Sequence, residues 1–128
     1  MPYFSAYSAS KAAVSRLTET LAGELDEHNI QVNAIAPGAV RTRMTEDVLE
    51  AGARAGGAQL NAAMRIQAEG PAPDKAVELA IFLASPASGR ISGRLLSAHW
   101  DDWRSLPQRS EAVMSSDLYT LRRVTETP

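Results

Sequence analysis

A long helical pattern followed at once by a short β-branched run constrains the fold of this chain more than any other feature. The apolar residues of the first pattern recur at spacings of three and four: Val14, Leu17, Leu21 and Leu25. This spacing predicts one face of a helix from about residue 6 to residue 28. Residues 30–36 follow directly and predict a short, buried strand of a parallel sheet, which Pro37-Gly38 stops. Helix, strand, loop and helix in this order are typical of an α/β protein.

The rest of the chain adds mainly helices. We expect a short helix around residues 44–49, a second over 59–68 and, after a Gly/Pro linker at 70–73, a third over 73–84. A second short strand is predicted over 95–98, after Gly93. We therefore expect one folded unit over residues 1–98. Residues 99–128 hold both tryptophans and then turn polar, and they predict a tail that lies on the surface with one short helix or turn.

Composition limits the function classes. The chain has 128 residues with 45% hydrophobic and 22% charged residues, which is ordinary for a soluble globular protein. The net charge of −2, without a basic block, argues against a nucleic acid or an anionic membrane as partner. The absence of cysteine excludes disulfides and thiolate metal sites, and we expect no metal. The chain shows no signal-peptide pattern and no apolar run of about 18 residues, so we expect a cytoplasmic protein.

Tyr7 and Lys11 lie four residues apart near the start of the first predicted helix, so both project from one face. A free tyrosine, with a pKa of about 10, is a poor acid or base at neutral pH. A nearby ammonium and the positive end of a helix both favour the phenolate. A tyrosine tuned in this way can exchange a proton with a carbonyl or alcohol oxygen. The spacing alone also fits a surface tyrosine beside a solvated lysine.

Three stretches place this pair in a wider pattern: Tyr7-Ser8-Ala9-Ser10-Lys11, then 17–25, then Val32 to Thr42 with its Pro-Gly-x-Val-x-Thr sequence. In order and spacing they resemble the catalytic turn, helix, strand and loop of the short-chain dehydrogenase/reductase family. The resemblance covers about residues 1–98. It implies an α/β fold, the C-terminal half of a Rossmann-like, doubly wound parallel sheet with about two short strands and three to five helices.

The resemblance also implies roles for the matching residues. Tyr7 would be the general acid/base at the oxygen of a small carbonyl or alcohol substrate. Lys11 would assist Tyr7 and hydrogen-bond the nicotinamide ribose of NAD or NADP. The family further implies a homo-oligomer, in which the helix that starts at Tyr7 packs against its copy.

The loop after the first strand would complete the cofactor site. Pro37 and Gly38 would shape the loop under the nicotinamide, while the Val40 backbone and the Thr42 hydroxyl would contact the carboxamide or a nearby phosphate. A loop at the carboxyl end of a parallel strand is where open α/β sheets bind ligands. Taken without Tyr7, Pro37-Gly38 is also consistent with a simple strand-to-loop turn.

Residues 44–68 correspond to the family's mobile substrate-covering region. Met44, Val48 and Leu49 would either line an apolar wall for the substrate or make ordinary packing contacts. His99, next to Trp100-Asp101-Asp102-Trp103, fits a solvated rim or a docked tail better than a metal site, because adjacent aspartates on an extended chain point to different faces. His99-Trp100 also stands where many family members carry Gly-Gly.

Other family features have no match in these 128 residues. The sequence holds no Gly-x-x-x-Gly-x-Gly turn for the pyrophosphate. It also lacks a serine about a dozen residues before Tyr7 and the residue that selects NAD or NADP. Three interpretations follow: a truncated short-chain oxidoreductase, an inactive remnant that acts as a dimerising or structural domain, or a half-enzyme that needs a partner chain.

Overall fold

The computed structural model of the chain describes residues 4–70 and 74–123. Five α-helices and two strands form within these ranges: α1 (Ser5–Glu24), β1 (Ala34–Ala36), α2 (Arg43–Ala51), α3 (Gly57–Glu69), α4 (Asp74–Leu83), β2 (Leu95–Ser97) and α5 (Leu106–Met114). Short 3₁₀ helices lie between them: Asp26–His28, Gly52–Ala55, Pro86–Ser88 and Trp103–Ser105. None of the helices in the described ranges is long and apolar enough to cross a membrane.

β1 and β2 pair in parallel, with Ile35 opposite Leu96. This pairing, together with the five helices, confirms the predicted α/β, Rossmann-like architecture. β1 is shorter than the predicted strand over 30–36. Before Ala34, side-chain bonds mix with the backbone bond from the Gly93 N–H to the Val32 carbonyl (2.7 Å): the Asn33 amide donates to the Ile91 carbonyl (2.8 Å) and its oxygen accepts the Arg94 N–H (3.2 Å).

The predicted helix over 6–28 is divided in two. α1 ends at Glu24, and a 3₁₀ turn over Asp26–His28 follows it. Asn29 closes that turn in the left-handed conformation, with φ 55°, which Asn tolerates better than most residues. In the predicted linker at 70–73, Gly70 closes α3, and residues 71–73 lie outside the described ranges.

The hydrophobic core lies around β2. Its buried members come from α4, β2, α5 and the loops between them: Leu79, Ile91, Leu96, Ala98, Trp103, Leu106 and Val113. Three of these belong to the predicted tail, so the described part of residues 99–128 packs into the fold rather than only on its surface. The Trp103 ring lies 5.4 Å from the Phe82 ring, and its indole N–H donates to the Ala98 carbonyl (3.4 Å). A domain boundary at 98/99 stays a prediction.

α1 packs on this body through small and polar residues. Ser15, Thr18 and Ala22 are buried, whereas Val14 and Leu17 of the predicted apolar face are 49% and 56% exposed. The hydroxyls of Ser15 and Thr18 donate to backbone carbonyls one turn back in the helix, so their burial leaves no donor unpaired. Leu21 and Leu25 of the same predicted face are half-buried, so only Val14 and Leu17 lie on a side of α1 that faces away from the body.

The C-terminal segment links β2 to α1. On the side of β2 away from β1, the Leu95 N–H donates to the Tyr119 carbonyl (2.8 Å). Further along, Arg122 donates to the Glu19 carboxylate of α1 (2.7 Å), and the Leu121 N–H donates to the same carboxylate (3.4 Å). Residues 119–122 thus hold the middle of α1 against the sheet.

Candidate active site

One groove runs between the first turns of α1 and the carboxyl end of β1. Its volume is about 700 Å³. Its lining includes every residue that the sequence assigned to catalysis or cofactor binding: Tyr7, Lys11, Pro37, Gly38, Val40 and Thr42. Residues that are up to 35 positions apart in the chain therefore meet at one surface, at the end of the strands where open α/β sheets bind ligands.

Tyr7 and Lys11 meet within the first turns of α1. The Lys11 ammonium nitrogen lies 5.4 Å from the centre of the Tyr7 ring, within the range of a cation–π contact. Tyr7 is 38% exposed, so its side chain remains open to the groove. The Ser10 hydroxyl donates to the Tyr7 carbonyl (2.7 Å) and so fixes the turn that carries both residues. The pair can thus present a phenol and an ammonium together to one ligand.

The loop from Pro37 to Thr42 forms the opposite wall. Gly38 adopts φ 85°, which favours glycine, and the Val40 N–H donates to its carbonyl (3.1 Å). The Arg41 guanidinium donates to the Gln67 carbonyl (2.7 Å) and ties the loop to α3. Thr42 is the N-cap residue of α2, so the loop ends at the positive end of a helix.

His99 packs on this loop, which the sequence did not indicate. A Cβ atom at Gly38 would lie 2.4 Å from His99 Cδ2, so the imidazole occupies the space that a side chain at position 38 would need. His99 is half-buried rather than part of a solvated rim. Its position directly after the second parallel strand was the available signal, because the carboxyl ends of neighbouring parallel strands meet at one edge of a sheet.

A second, polar pocket lies at the other end of the sheet, beside the C-terminal half of α1. Buried Arg94 donates to the carbonyls of Val113 (2.9 Å) and Met114 (3.3 Å) at the end of α5. Burial lowers the pKa of Arg94, and the charge of Arg122 acts in the same direction. No group of three His, Cys, Asp or Glu side chains that could hold a metal ion occurs within residues 4–70 and 74–123.

Glu19 joins this polar pocket to the C-terminal segment. Burial alone would raise the pKa of Glu19, but hydrogen bonds from Arg122 and the Leu121 N–H outweigh it. The charges of Arg122 and Arg16 add to this effect, so the pKa of Glu19 lies below its ordinary value. Hydrogen bonds to Glu19 and Asp117 in turn raise the pKa of Arg122.

Comparison with known proteins identifies related chains. The family model described as enoyl-(acyl carrier protein) reductase matches residues 1–99. The chain is 36% identical over 103 residues to the short-chain reductase protein NovJ of Streptomyces niveus, which covers 77% of this chain and 37% of that protein. It is 42% identical over 90 residues to 5-keto-D-gluconate 5-reductase of Escherichia coli strain K12, and this match covers 70% of this chain and 34% of that protein. It is also 38% identical over 91 residues to 3-oxoacyl-(acyl-carrier-protein) reductase FabG of Thermotoga maritima. This match covers 70% of this chain and 35% of that protein.

The chain belongs to the short-chain dehydrogenase/reductase family, as its motifs indicated. It spans about a third of the length of the curated relatives it matches. No solved structure matches the chain.

Proposed function

We propose that the chain carries the acid/base and nicotinamide-binding part of an NAD- or NADP-dependent oxidoreductase that acts on a small carbonyl or alcohol. One observation carries this proposal: a single groove is lined by Tyr7, by Lys11 and by the four fixed positions of the Pro-Gly-x-Val-x-Thr loop. In the alternative of a surface tyrosine beside a solvated lysine, nothing would bring the loop motif to the same groove.

The groove fits the nicotinamide end of the cofactor. Its volume of about 700 Å³ lies within the range of about 300–1,000 Å³ that is usual for small-molecule sites. Lys11 supplies an ammonium for ribose hydroxyls, and the start of α2 after Thr42 supplies N–H groups for a phosphate or carboxamide oxygen. Since the sequence has no Gly-x-x-x-Gly-x-Gly turn, the contacts to the pyrophosphate would come from outside these 128 residues.

When bound, the cofactor supplies or accepts the hydride. The chain's own residues would transfer the proton. Tyr7 would give its hydroxyl proton to the carbonyl oxygen during reduction, or accept the proton of the alcohol during oxidation. Lys11, at 5.4 Å from the ring centre, would stabilise the phenolate that forms when the proton leaves. The names of the matched relatives include reductases of 5-keto-D-gluconate and of a 3-oxoacyl-(acyl-carrier-protein), so they agree on the carbonyl and not on its substituents.

A second feature favours a partner chain. Val14 and Leu17 are large, apolar and about half exposed on α1. Among the described residues β1 pairs only with β2, so its other edge faces no strand there, and unpaired strand edges tend to recruit another chain. These features are consistent with the homo-oligomer through α1 and with a half-enzyme completed by a partner.

Titration of NADH and of NADPH, followed by nicotinamide fluorescence, tests cofactor binding. We expect saturable binding in the millimolar range or tighter. Lys11→Met should weaken the binding at least about fivefold, because it removes a charge-assisted hydrogen bond to the ribose. The matched control is Lys75→Met, since Lys75 is the only other lysine and lies exposed in the first turn of α4. This control should bind as the wild type does.

Each possible result decides between the interpretations. If the wild type does not bind either cofactor at millimolar concentration, the chain does not work alone, and the inactive remnant and the half-enzyme remain. If both lysine variants bind equally well, Lys11 does not contact the cofactor and the proposed site is wrong.

A further inference from the structure

A small apolar cavity of about 100 Å³ lies between α2 and α3 and is bordered by Phe4, just before α1. Its apolar lining consists of Phe4, Met44, Val48, Ala62, Ala63 and Ile66. Thr45 and Gln59 also border it. The Thr45 hydroxyl accepts the Thr42 backbone N–H (3.3 Å) at the start of α2. This hydroxyl is therefore already used in holding the helix, and the surface that the cavity offers to a ligand is almost wholly hydrocarbon.

The cavity adjoins the groove that holds Tyr7. The Phe4 ring meets the Tyr7 ring edge-on, with the ring centres 6.0 Å apart and the planes at 89°. Met44 lines both the cavity and the groove. Met44 is 41% exposed, and its unbranched thioether side chain adapts easily to a ligand. The cavity and the groove thus meet at Met44, and Phe4 of the cavity contacts the ring of Tyr7.

We propose that this cavity binds the apolar substituent of the substrate, a compact alkyl group attached to the carbon whose oxygen faces Tyr7. This inference rests on the proposed function and names its substrate class. A dry cavity of about 150 Å³ holds a benzene molecule, so the smaller volume here suits an alkyl chain of about four carbons. A polyhydroxylated substituent is disfavoured, because its hydroxyl groups would lose their water without gaining enough partners.

The binding preference can be measured without cofactor or turnover. The chain is labelled with ¹³C at its methionine methyl groups and titrated with 2-hexanone, which carries a four-carbon chain on its carbonyl. The Met44 methyl signal is expected to shift and to saturate in the millimolar range. Met64, on the exposed side of α3, and Met114, at the far end of the sheet, serve as internal references and should not move. The polar ketone 1,3-dihydroxyacetone should not produce a saturating shift of Met44.

Two substitutions on α3 locate the site. Ala62→Leu places a larger side chain in the cavity and should weaken 2-hexanone binding at least about tenfold. Ala68→Leu makes the same change at an exposed position of the same helix outside the lining and should leave the affinity unchanged. If Ala62→Leu disturbs folding, Val48→Ala gives the opposite test, because a larger cavity should bind 2-heptanone more tightly relative to 2-hexanone.

The results separate this inference from the proposed function. Equal effects of 2-hexanone and dihydroxyacetone on Met44, or equal affinities of the two α3 variants, would overturn the alkyl subsite. If 2-hexanone binds as expected but neither cofactor does, the subsite stands and the oxidoreductase proposal for this chain alone fails. If cofactor is bound and a polyhydroxy ketone is reduced while 2-hexanone is not, only the subsite is wrong.

Discussion

α1 and the region around β2 bury their large apolar side chains to very different extents. Leu79, Leu96 and Leu106 around β2 are fully buried, whereas Val14 and Leu17 of α1 are about half exposed. The C-terminal region thus supplies its own core, and α1 rests on it through small and polar residues. The helix that carries the acid/base pair therefore leaves large apolar side chains exposed, as α4 does at Val77 and Ile81.

Paired leucine truncations give the largest expected effect. Leu96→Ala removes a fully buried side chain from the core and should lower the free energy of unfolding by about 2–5 kcal/mol. Leu17→Ala, on exposed α1, should change it by no more than about 0.5 kcal/mol in the monomer. Urea unfolding, followed by the fluorescence of buried Trp103, measures both. Similar losses for the two variants would mean that α1 is part of the same core.

Gly38 offers a test within the groove. Gly38→Ala should destabilise the loop by about 1–3 kcal/mol, since φ is 85° and the new Cβ would collide with His99. His99→Ala in the same chain should recover part of this loss by removing the collision, while the backbone strain remains. A double-mutant cycle, with the free energy of unfolding measured in urea, gives the coupling energy between positions 38 and 99. No recovery at all would show that His99 does not restrict position 38.

Self-association tests the exposed face of α1. We expect the wild type to form dimers, and Leu17→Glu should weaken the dimer at least about tenfold by placing a charge in an apolar contact. Ile81→Glu is the matched control, because Ile81 is an apolar residue 65% exposed on a different helix, α4. Sedimentation velocity over a range of concentrations measures both variants. A compact, stable wild-type monomer would show that α1 is not a dimer surface.

The pH dependence of the C-terminal segment should give the smallest effect. Because the folded-state pKa of Glu19 is lowered, its contribution is fully present above the ordinary value of 4.5 and is lost as the pH falls through the lower folded value. The loss should be below about 1 kcal/mol, because this ion pair is partly open to solvent.

Backbone amide signals of Tyr119 and Leu121 can follow this release during an acid titration. Glu19→Gln removes the titrating group, so the segment should already be loosened at neutral pH and should not change further between pH 5 and 3. The same acid transition in Glu19→Gln as in the wild type would assign the effect to another carboxylate.

The sequence predicted the order of the elements well, for identifiable reasons. Tyr7 and Lys11 share a helix, and their separation alone places them together. Pro37–Thr42 follows a β-branched strand whose carboxyl end must face the same edge. Local spacing places Tyr7 beside Lys11, whereas the assignment of the 37–42 loop to the same site came from the family resemblance.

Long-range packing could not be predicted in the same way. Helical periodicity indicated that Leu17 lies on an apolar face, but not whether another element covers that face. The packing of His99 on Gly38 joins residues 61 positions apart, and only the position of His99 just after β2 pointed to it. Trp103 and Leu106 lie in a segment that turns polar, yet both are buried because the chain folds back over β2.

Turnover by a matched pair of tyrosine variants tests the acid/base role of Tyr7 most directly. The measurement is the oxidation of NADH or NADPH in the presence of a ketone, at cofactor concentrations that saturate binding. Tyr7→Phe should lower the turnover rate at least about 100-fold without changing the cofactor affinity. Tyr119→Phe, at the far edge of β2, should keep most of the wild-type turnover rate. Unchanged turnover in Tyr7→Phe, or no turnover in the wild type with cofactor bound, would contradict the assignment of Tyr7 as the general acid/base.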